Sequence, residues 1–381
     1  MNNVVLCVDI GTTSLKAALV TAVGEVVSFC SLPFEDPHDR FIACSWYGTF
    51  LRALGELCRG VDGDSSVCVR GIAVSGNGPT VVTDSGLTFL WNEENAVEAA
   101  DIPDTARTSL FIPKILSIKK LFPDFYKKSR RLFSGPEFLI HILTGNDITI
   151  LPEARFAAAY WNDEVCKVCG IKAELLPPFV GTGADCGAVS GDVYDEVRAA
   201  GVGLEFAEDC RVFAGGPDFV VALIGTGTLE AGRLCDRCGS SEGLNFCTAQ
   251  PVRGEGLRTL PSVISGLWNV SYLIPGSGSM NAEEKLASLE KGINLLKKAS
   301  GENGIIFPSE MAVTGGQSND ILLLKEKSER FGMKILHSAG AHFVHSELLG
   351  DACAGFTGLG VYGSLQEAAE KIVRLQAYEN L

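Results

Sequence analysis

The chain has 381 residues, 46% hydrophobic and 20% charged, a balance that excludes a disordered chain and is long enough for two domains with separate cores. A formal charge of −14 argues against nucleic acid or an anionic membrane as partner, because those surfaces are met by clustered lysine and arginine. No apolar run approaches the roughly 18 residues that cross a bilayer, and no basic stretch with an apolar signal core opens the chain, so a soluble cytoplasmic protein is expected.

Residues 4–8 read as a buried strand and residues 17–20 as its hairpin partner, with a third strand completing a meander by residue 34. The first turn carries chemistry. Gly11 lets backbone approach a ligand, Thr12, Thr13 and Ser14 offer N–H and O–H donors to an anion, Lys16 adds a cation and Asp9 a carboxylate. Together these suit a magnesium nucleotide. A hydroxyl-rich structural turn capped by Asp9 accounts for the same letters, so other segments must decide.

Phe50, Leu51, Leu54, Leu57 and Cys58 fall at helical spacing and predict a crossover helix over residues 46–59. Residues 67–74 are apolar and β-branched, and after the break Ser75-Gly76-Asn77-Gly78-Pro79 a strand resumes at residues 80–83. A meander feeding alternating helix and strand indicates an α/β layer architecture. Residues 109–143 look helical, punctuated by Pro113, Pro123 and Pro136, and residues 175–191 look rich in loops.

A helix over 194–200 leads to a strand at 211–214, then Gly215-Gly216-Pro217-Asp218 opens an apolar helical segment over 219–224. Gly239-Ser240-Ser241-Glu242-Gly243 precedes a strand at 244–248 and echoes the first turn, as if each half held one phosphate-facing hairpin. Residues 283–299 form an amphipathic helix. A strand at 311–314, the turn Gly315-Gly316-Gln317-Ser318-Asn319, a helix over 321–331, a strand at 334–336 and closing helices follow. Residues 358–363 match a dinucleotide fingerprint in letters only, with no βαβ unit around them.

The 13 cysteines, Cys7, Cys30, Cys68 and Cys353 among them, sit in apolar stretches and read as reduced, buried side chains. Cys166/Cys169 and Cys235/Cys238 each have the spacing of half a zinc site, but nothing in the sequence joins the halves. The basic run at residues 127–131 reads as a solvated helix face.

Residues 9–16, 215–218, 239–243 and 315–319, in this order, resemble the FGGY carbohydrate kinase family, most like its xylulokinase branch. Weaker echoes fill the gaps: Gly71-Ile72-Ala73-Val74-Ser75-Gly76, Leu90-Trp91-Asn92-Glu93, Pro113-Lys114, Leu143-Thr144-Gly145, Leu176-Pro177-Pro178 and residues 347–353. The resemblance implies an α/β fold of two actin-like (ribonuclease H-like) ATPase domains with a cleft between them, expected at residues 1–210 and 211–381. It also implies an ATP- and Mg²⁺-dependent kinase transferring the γ-phosphate to a hydroxyl of a sugar or polyol, most directly a ketose such as xylulose.

On the same resemblance, Asp9 holds Mg²⁺ through water, and Gly11, Thr12, Thr13 and Lys16 address the transferred phosphoryl group. Gly239, Ser240 and Ser241 bind phosphates from the other domain, Gly315, Gly316 and Gln317 line the adenosine pocket, and Asp218 is the catalytic base. Asp218 also fits as the N-cap of the following helix, and both roles are compatible. Asn77, Trp91, Asn92 and Glu93 are expected to meet the acceptor.

Three departures stand out. Asn77-Gly78-Pro79 replaces the family's Gln and following donor pair, Trp91-Asn92-Glu93-Glu94-Asn95 keeps an acid but loses the arginine, and the interval between Gly243 and Gly315 is short. These leave a second reading open, a catalytically weak nucleotide- or sugar-binding regulatory protein on the same fold, and a third, an actin-fold enzyme acting on a non-sugar hydroxyl or acid. Glu242 would oppose a nucleotide if it faced one. The expected partners are a sugar or polyol and ATP, with a homodimer left open.

Overall fold

The computed structural model describes residues 2–61, 67–201, 203–239, 241–338 and 345–380. They fall into two compact units, one of Met1–Ala22, Val26–Asp218 and Ala354–Tyr362, the other of Val23–Glu25, Phe219–Cys353 and Gly363–Leu381.

The first unit begins with the expected meander, β1 (Asn2–Ile10), β2 (Ser14–Thr21) and β3 (Val26–Pro33), followed by α1 (Ile42–Arg59) and β4 (Val67–Gly76). A small separate sheet joins β5 (Val81–Thr83), β6 (Thr88–Phe89) and β7 (Leu132–Phe133), with α2 (Ile112–Leu121) and α3 (Pro123–Lys128) ahead of β7. Then come α4 (Glu137–Thr144) and the parallel pair β8 (Thr149–Ile150) and β9 (Phe179–Val180), with α5 (Asp163–Val168) between them. β10 (Asp185–Ala188), α6 (Gly191–Ala200) and β11 (Glu205–Pro217) complete the unit.

The main sheet runs β10-β11-β4-β1-β2-β3, with β1, β4 and β11 parallel and the meander antiparallel. Flanked on both sides, β1 is a buried central strand. Its Val4, Leu6, Val8 and Ile10 join the core that α1 covers with Ile42, Trp46, Phe50, Leu54 and Leu57, the three- and four-residue spacing of a single helical face. Burying a ring such as that of Phe50 stabilises by roughly 2–3 kcal/mol. Because β11 pairs with β4 through Pro217, the first unit extends past residue 210 and includes Asp218.

The second unit holds α7 (Asp218–Gly225) apart from its first residue, then β12 (Leu234–Cys238), β13 (Glu242–Thr248), β14 (Arg258–Pro261) and β15 (Trp268–Ile274). α8 (Ala282–Glu302), β16 (Glu310–Gly315), α9 (Ile321–Phe331) and β17 (Lys334–Ser338) follow. α10 (Ser346–Gly358), which passes to the first unit at Ala354, is followed by α11 (Leu365–Ile372) and β18 (Leu375–Ala377) of the second. α8 starts at a reciprocal cap, in which Asn281 accepts from Glu284 N–H and the Glu284 side chain accepts from Asn281 N–H. Its Leu286, Leu289, Ile293 and Leu296 pack into the unit's core with β12, β13 and β16.

The second sheet runs β14-β15-β13-β12-β16-β17-β18. Within it, β15-β13-β12-β16-β17 repeats the order and directions of β3-β2-β1-β4-β11. In each repeat the strand parallel to the hairpin's first strand, β4 beside β1 and β16 beside β12, ends on a glycine set against that strand's end. A Cβ on Gly76 would lie 2.8 Å from the Ile10 carbonyl oxygen, and one on Gly315, at φ +95°, would lie 2.0 Å from that of Cys238. Among the described residues no helix is long and apolar enough to cross a membrane.

Candidate active site

In the first unit the expected groups gather at the carboxyl ends of three adjacent parallel strands. Asp9 of β1 aligns with Ser75 of β4 and Ile10 with Gly76, while Ser75 and Gly76 align with Gly216 and Pro217 of β11. Asp9, Asn77 and Asp218 therefore sit at or just beyond neighbouring strand ends, where ligands of open α/β sheets bind. Gly215 is skipped in the register between Ala214 and Gly216, a bulge that redirects the strand just before Asp218. Asp218 is half-buried at the start of α7.

Asp9 is 2% exposed. Lys16, its register partner on β2, reaches one carboxylate oxygen, Nζ to Oδ2 3.1 Å, while Oδ1 is buried without a hydrogen-bond partner. A carboxylate oxygen left without a partner at this edge fits a hydrated divalent cation such as Mg²⁺. The turn is tight: Gly11 N–H donates to Ser14 O at 2.9 Å, and a Cβ on Gly11 would lie 2.9 Å from the same oxygen. Thr13 is exposed and Thr12 half-buried, and the Thr12 hydroxyl accepts from Trp91 Nε1–H at 2.8 Å.

That contact joins the turn to the segment expected to meet the acceptor. Trp91 is 41% exposed, and its backbone N–H donates to the Thr80 hydroxyl, which in turn donates to Asn77 Oδ1 at 2.7 Å. Asn77 is buried, its own N–H bonds Ile10 O, and its Nδ2 is a buried donor without a partner. Asn92 is exposed.

Glu93 differs from its neighbours because its carboxylate is engaged within the protein. It accepts from Leu90 N–H at 2.7 Å and pairs with Arg40 Nη1 at 2.6 Å. Lys114, 4% exposed, donates to the Leu90 and Glu93 carbonyls, and burial lowers its pKa to about 8 despite the Glu93 charge. Glu93 thus anchors the Trp91–Asn92 loop. Sequence reading missed Arg40, which lies 53 residues before Glu93 and restores from another segment the arginine lost from the motif.

In the second unit, β12 and β13 are joined through Gly239 and Ser241, and Gly239 N–H donates to Ser241 O at 3.1 Å. Ser240 lies outside the described residues. The Gly315–Gln317 turn is adjacent, since Cys238 aligns with Gly315 across β12 and β16. Gly316 is exposed, with nothing near where a Cβ would project. Gln317 is fixed by Lys285, Nζ to Oε1 2.6 Å, and the Ser318 hydroxyl closes the turn on Gly315 O. Glu242 does not face the rim: it is fully buried and pairs with Lys327.

The two Cys-x-x-Cys spacings do not build a zinc site from paired thiols. Cys235 and Cys238 are three apart on one strand, so their side chains take opposite faces, Cys235 packing near Leu223 and Ala312 and Cys238 in the α8 core. Among the described residues the one metal-capable group is Asp236, Cys238 and Glu242, and the Lys327 ammonium already lies against all three. In the basic run, Lys127, Lys128 and Arg130 are exposed, with Arg130 and Arg131 pairing with Asp84 and Asp147.

No protein-family profile matches the chain. Xylulose kinase of Bacillus subtilis is 25% identical over 275 residues, which is 62% of this chain and 52% of that protein. Xylulose kinase of Klebsiella pneumoniae is 24% identical over 322 residues, 74% of this chain and 63% of that protein. The chain spans about half the length of most curated relatives it matches. Among solved structures, the ligand-bound xylulose kinase of Lactobacillus acidophilus aligns at TM-score 0.76 and 13% identity over 98% of this chain and 93% of that one. Plasmodium falciparum glycerol kinase with ADP aligns at TM-score 0.76 and 16% identity over 99% and 93%. The chain thus has the two-domain fold of the FGGY sugar kinases and resembles xylulose kinases in sequence.

Proposed function

We propose that the protein is an ATP-dependent carbohydrate kinase that phosphorylates a hydroxyl of a neutral sugar or polyol, most directly a ketose such as xylulose, in the cytoplasm where ATP is supplied. The observation that carries this reading is the placement of Asp9, Asn77 and Asp218 at the ends of three adjacent parallel strands. An unpartnered carboxylate oxygen, an unpartnered amide donor and a carboxylate at a helix start, all at one sheet edge, are the groups a hydroxyl-to-phosphate transfer uses.

In this reading the acceptor lies against the Trp91 ring and takes a hydrogen bond from Asn77 Nδ2, its reacting hydroxyl turned to Asp218. Asp218 accepts that proton as the oxygen attacks the γ-phosphate. Thr12, Thr13 and Lys16 neutralise the transferring group, which needs positioning and charge stabilisation more than covalent help. The second unit holds the nucleotide, with Gly239, Ser240 and Ser241 at the phosphates and Gly315, Gly316 and Gln317 beside the adenosine. When bound at Asp9, Mg²⁺ offsets phosphate charge and orients the transferring group.

A neutral acceptor is favoured because the two cations bonded to residues 90–93 are already engaged, Arg40 by Glu93 and Lys114 by two carbonyls. A coupled assay of ADP release over ketopentoses, ketohexoses, polyols and sugar acids tests the assignment, with Asp218→Ala as control. Stimulation by a neutral sugar that disappears in the folded variant is expected. No stimulation across the panel, with unchanged ATP turnover in Asp218→Ala, contradicts it and leaves a binding or regulatory role.

A further inference from the structure

The most unusual charged group in the molecule takes no part in that mechanism. Lys327 of α9 is fully buried, and its Nζ lies 2.6 Å from Asp236 Oδ2, 2.7 Å from Glu242 Oε1 and 3.2 Å from Cys238 Sγ. Asp236 and Cys238 belong to β12 and Glu242 opens β13. Cys238 and Glu242 are the register pair that closes the 239–241 turn. One ammonium therefore grips both strands directly beneath the turn assigned to phosphate.

Its own helix adds a second connection. α9 is capped by Asp320, whose side chain accepts from Leu323 N–H, and Asp320 directly follows the short helix Gly316–Asn319 that continues from Gly315. The residue thus links the helix following one nucleotide-facing turn to the hairpin that carries the other.

Stability alone is a poor account of this arrangement. Burying three charged groups carries a desolvation penalty that their attraction only about offsets, and neutral replacements of similar volume are often no less stable. Here Asp236 Oδ1 and Glu242 Oε2 are also buried without hydrogen-bond partners, which adds to that penalty. What directional charged bonds supply in a core is a fixed register.

We propose that Lys327 is a positioning residue for the nucleotide, holding the 239–241 turn in register against the Gly315–Gln317 turn. The proposal rests on the nucleotide reading of those two turns. Lys327→Met alone leaves two carboxylates facing each other and is expected to fold poorly, so the informative variant is Asp236→Asn/Glu242→Gln/Lys327→Met, which removes all the charge and keeps the volume. It should fold with a Tm close to wild type, bind Mg-ADP about tenfold more weakly or worse in calorimetry, and keep the acceptor KM, because the acceptor groups belong to the first unit.

A folded triple variant with unchanged Mg-ADP affinity overturns the proposal. So do a parallel fall in nucleotide and acceptor affinity and a triple variant that cannot fold, since either makes the cluster merely structural. A wild-type protein that binds no Mg-ADP overturns the nucleotide reading itself, a result separate from the variant comparison.

Discussion

The β1–β2 and β12–β13 hairpins occupy the same place in two sheets of the same strand order, yet they dispose of charge in opposite ways. In the first, Asp9 and Lys16 stand at the strand ends and leave Asp9 Oδ1 open. In the second, Asp236, Glu242 and Lys327 are drawn fully inside, and the rim residues are Gly239, Ser241 and the neighbouring glycines. A hairpin that presents a carboxylate suits a cation and a transferring group; one whose rim carries glycine and serine without a carboxylate spares phosphate oxygens a like charge. One topology thus carries its charge either at the turn or beneath it.

The largest expected effect removes the charge that the first hairpin presents. Asp9→Asn keeps an oxygen for Lys16 but loses the carboxylate, and sugar phosphorylation should fall by about 10²–10³-fold with a weaker response to added magnesium. A magnesium titration of initial rates measures both, and an unchanged rate would erase the distinction between the hairpins.

The two strand-end glycines test the shared geometry. Gly315→Ala places a methyl 2.0 Å from a carbonyl oxygen at positive φ and should destabilise the protein by roughly 3 kcal/mol or more. Gly76→Ala, at 2.8 Å and without the positive φ, should be milder. Urea unfolding of both variants ranks them, and the reverse order would contradict the comparison.

Buried acids set the pH response. Burial raises Glu137 to about 7 although Ser134 and the Ile150 N–H bond its carboxylate. Its folded pKa exceeds the unfolded value of 4.5, so the folded state holds the proton more tightly and this contribution, complete below the unfolded value, is lost as pH rises through about 7. The loss should be on the order of 1–3 kcal/mol. Glu137→Gln should flatten that part of a Tm profile between pH 5 and 9; an identical slope in the variant would rule the residue out. Asp236, raised to about 7 chiefly by burial, acts in the same direction from the second unit.

The smallest effect concerns the link between the turn and the acceptor loop. Trp91→Phe keeps the ring and deletes the donor to Thr12, so the acceptor KM should rise several-fold, the worth of about 1 kcal/mol for one hydrogen bond, with the ATP KM unmoved. A shift in the ATP KM alone would reassign Trp91.

Much of this was legible in the sequence where a local pattern repeats. Continuous apolar runs predicted β1, β2 and β4, and helical spacing predicted α1 and α8. β14 and β15 escaped notice because residues 250–276 mix Gly, Pro and Ser with half-exposed strand positions, so neither alternation nor an apolar run emerges. β18 has three residues, too few for a period.

Distant partners were harder still. Glu93 was expected at the acceptor because Arg40 lies far off in sequence, and Lys327, which is fully buried, went unremarked within the helix over residues 321–331. A usable signal did exist: Asp236 sits in the strand Leu234–Cys238 with another acid nearby at Glu242, and two acids in a buried hairpin require a cation from elsewhere.

The central claim is that Asp218, on the unit that carries the acceptor groups, removes the proton from the attacking hydroxyl. A single-turnover experiment with γ-labelled ATP and the stimulating sugar, comparing wild type with Asp218→Asn, tests it most directly. Labelled sugar phosphate should form in the wild type, while the variant should bind both ligands and transfer about 10³-fold more slowly. Transfer at the wild-type rate by the variant, or no labelled sugar from the wild type, would contradict the account.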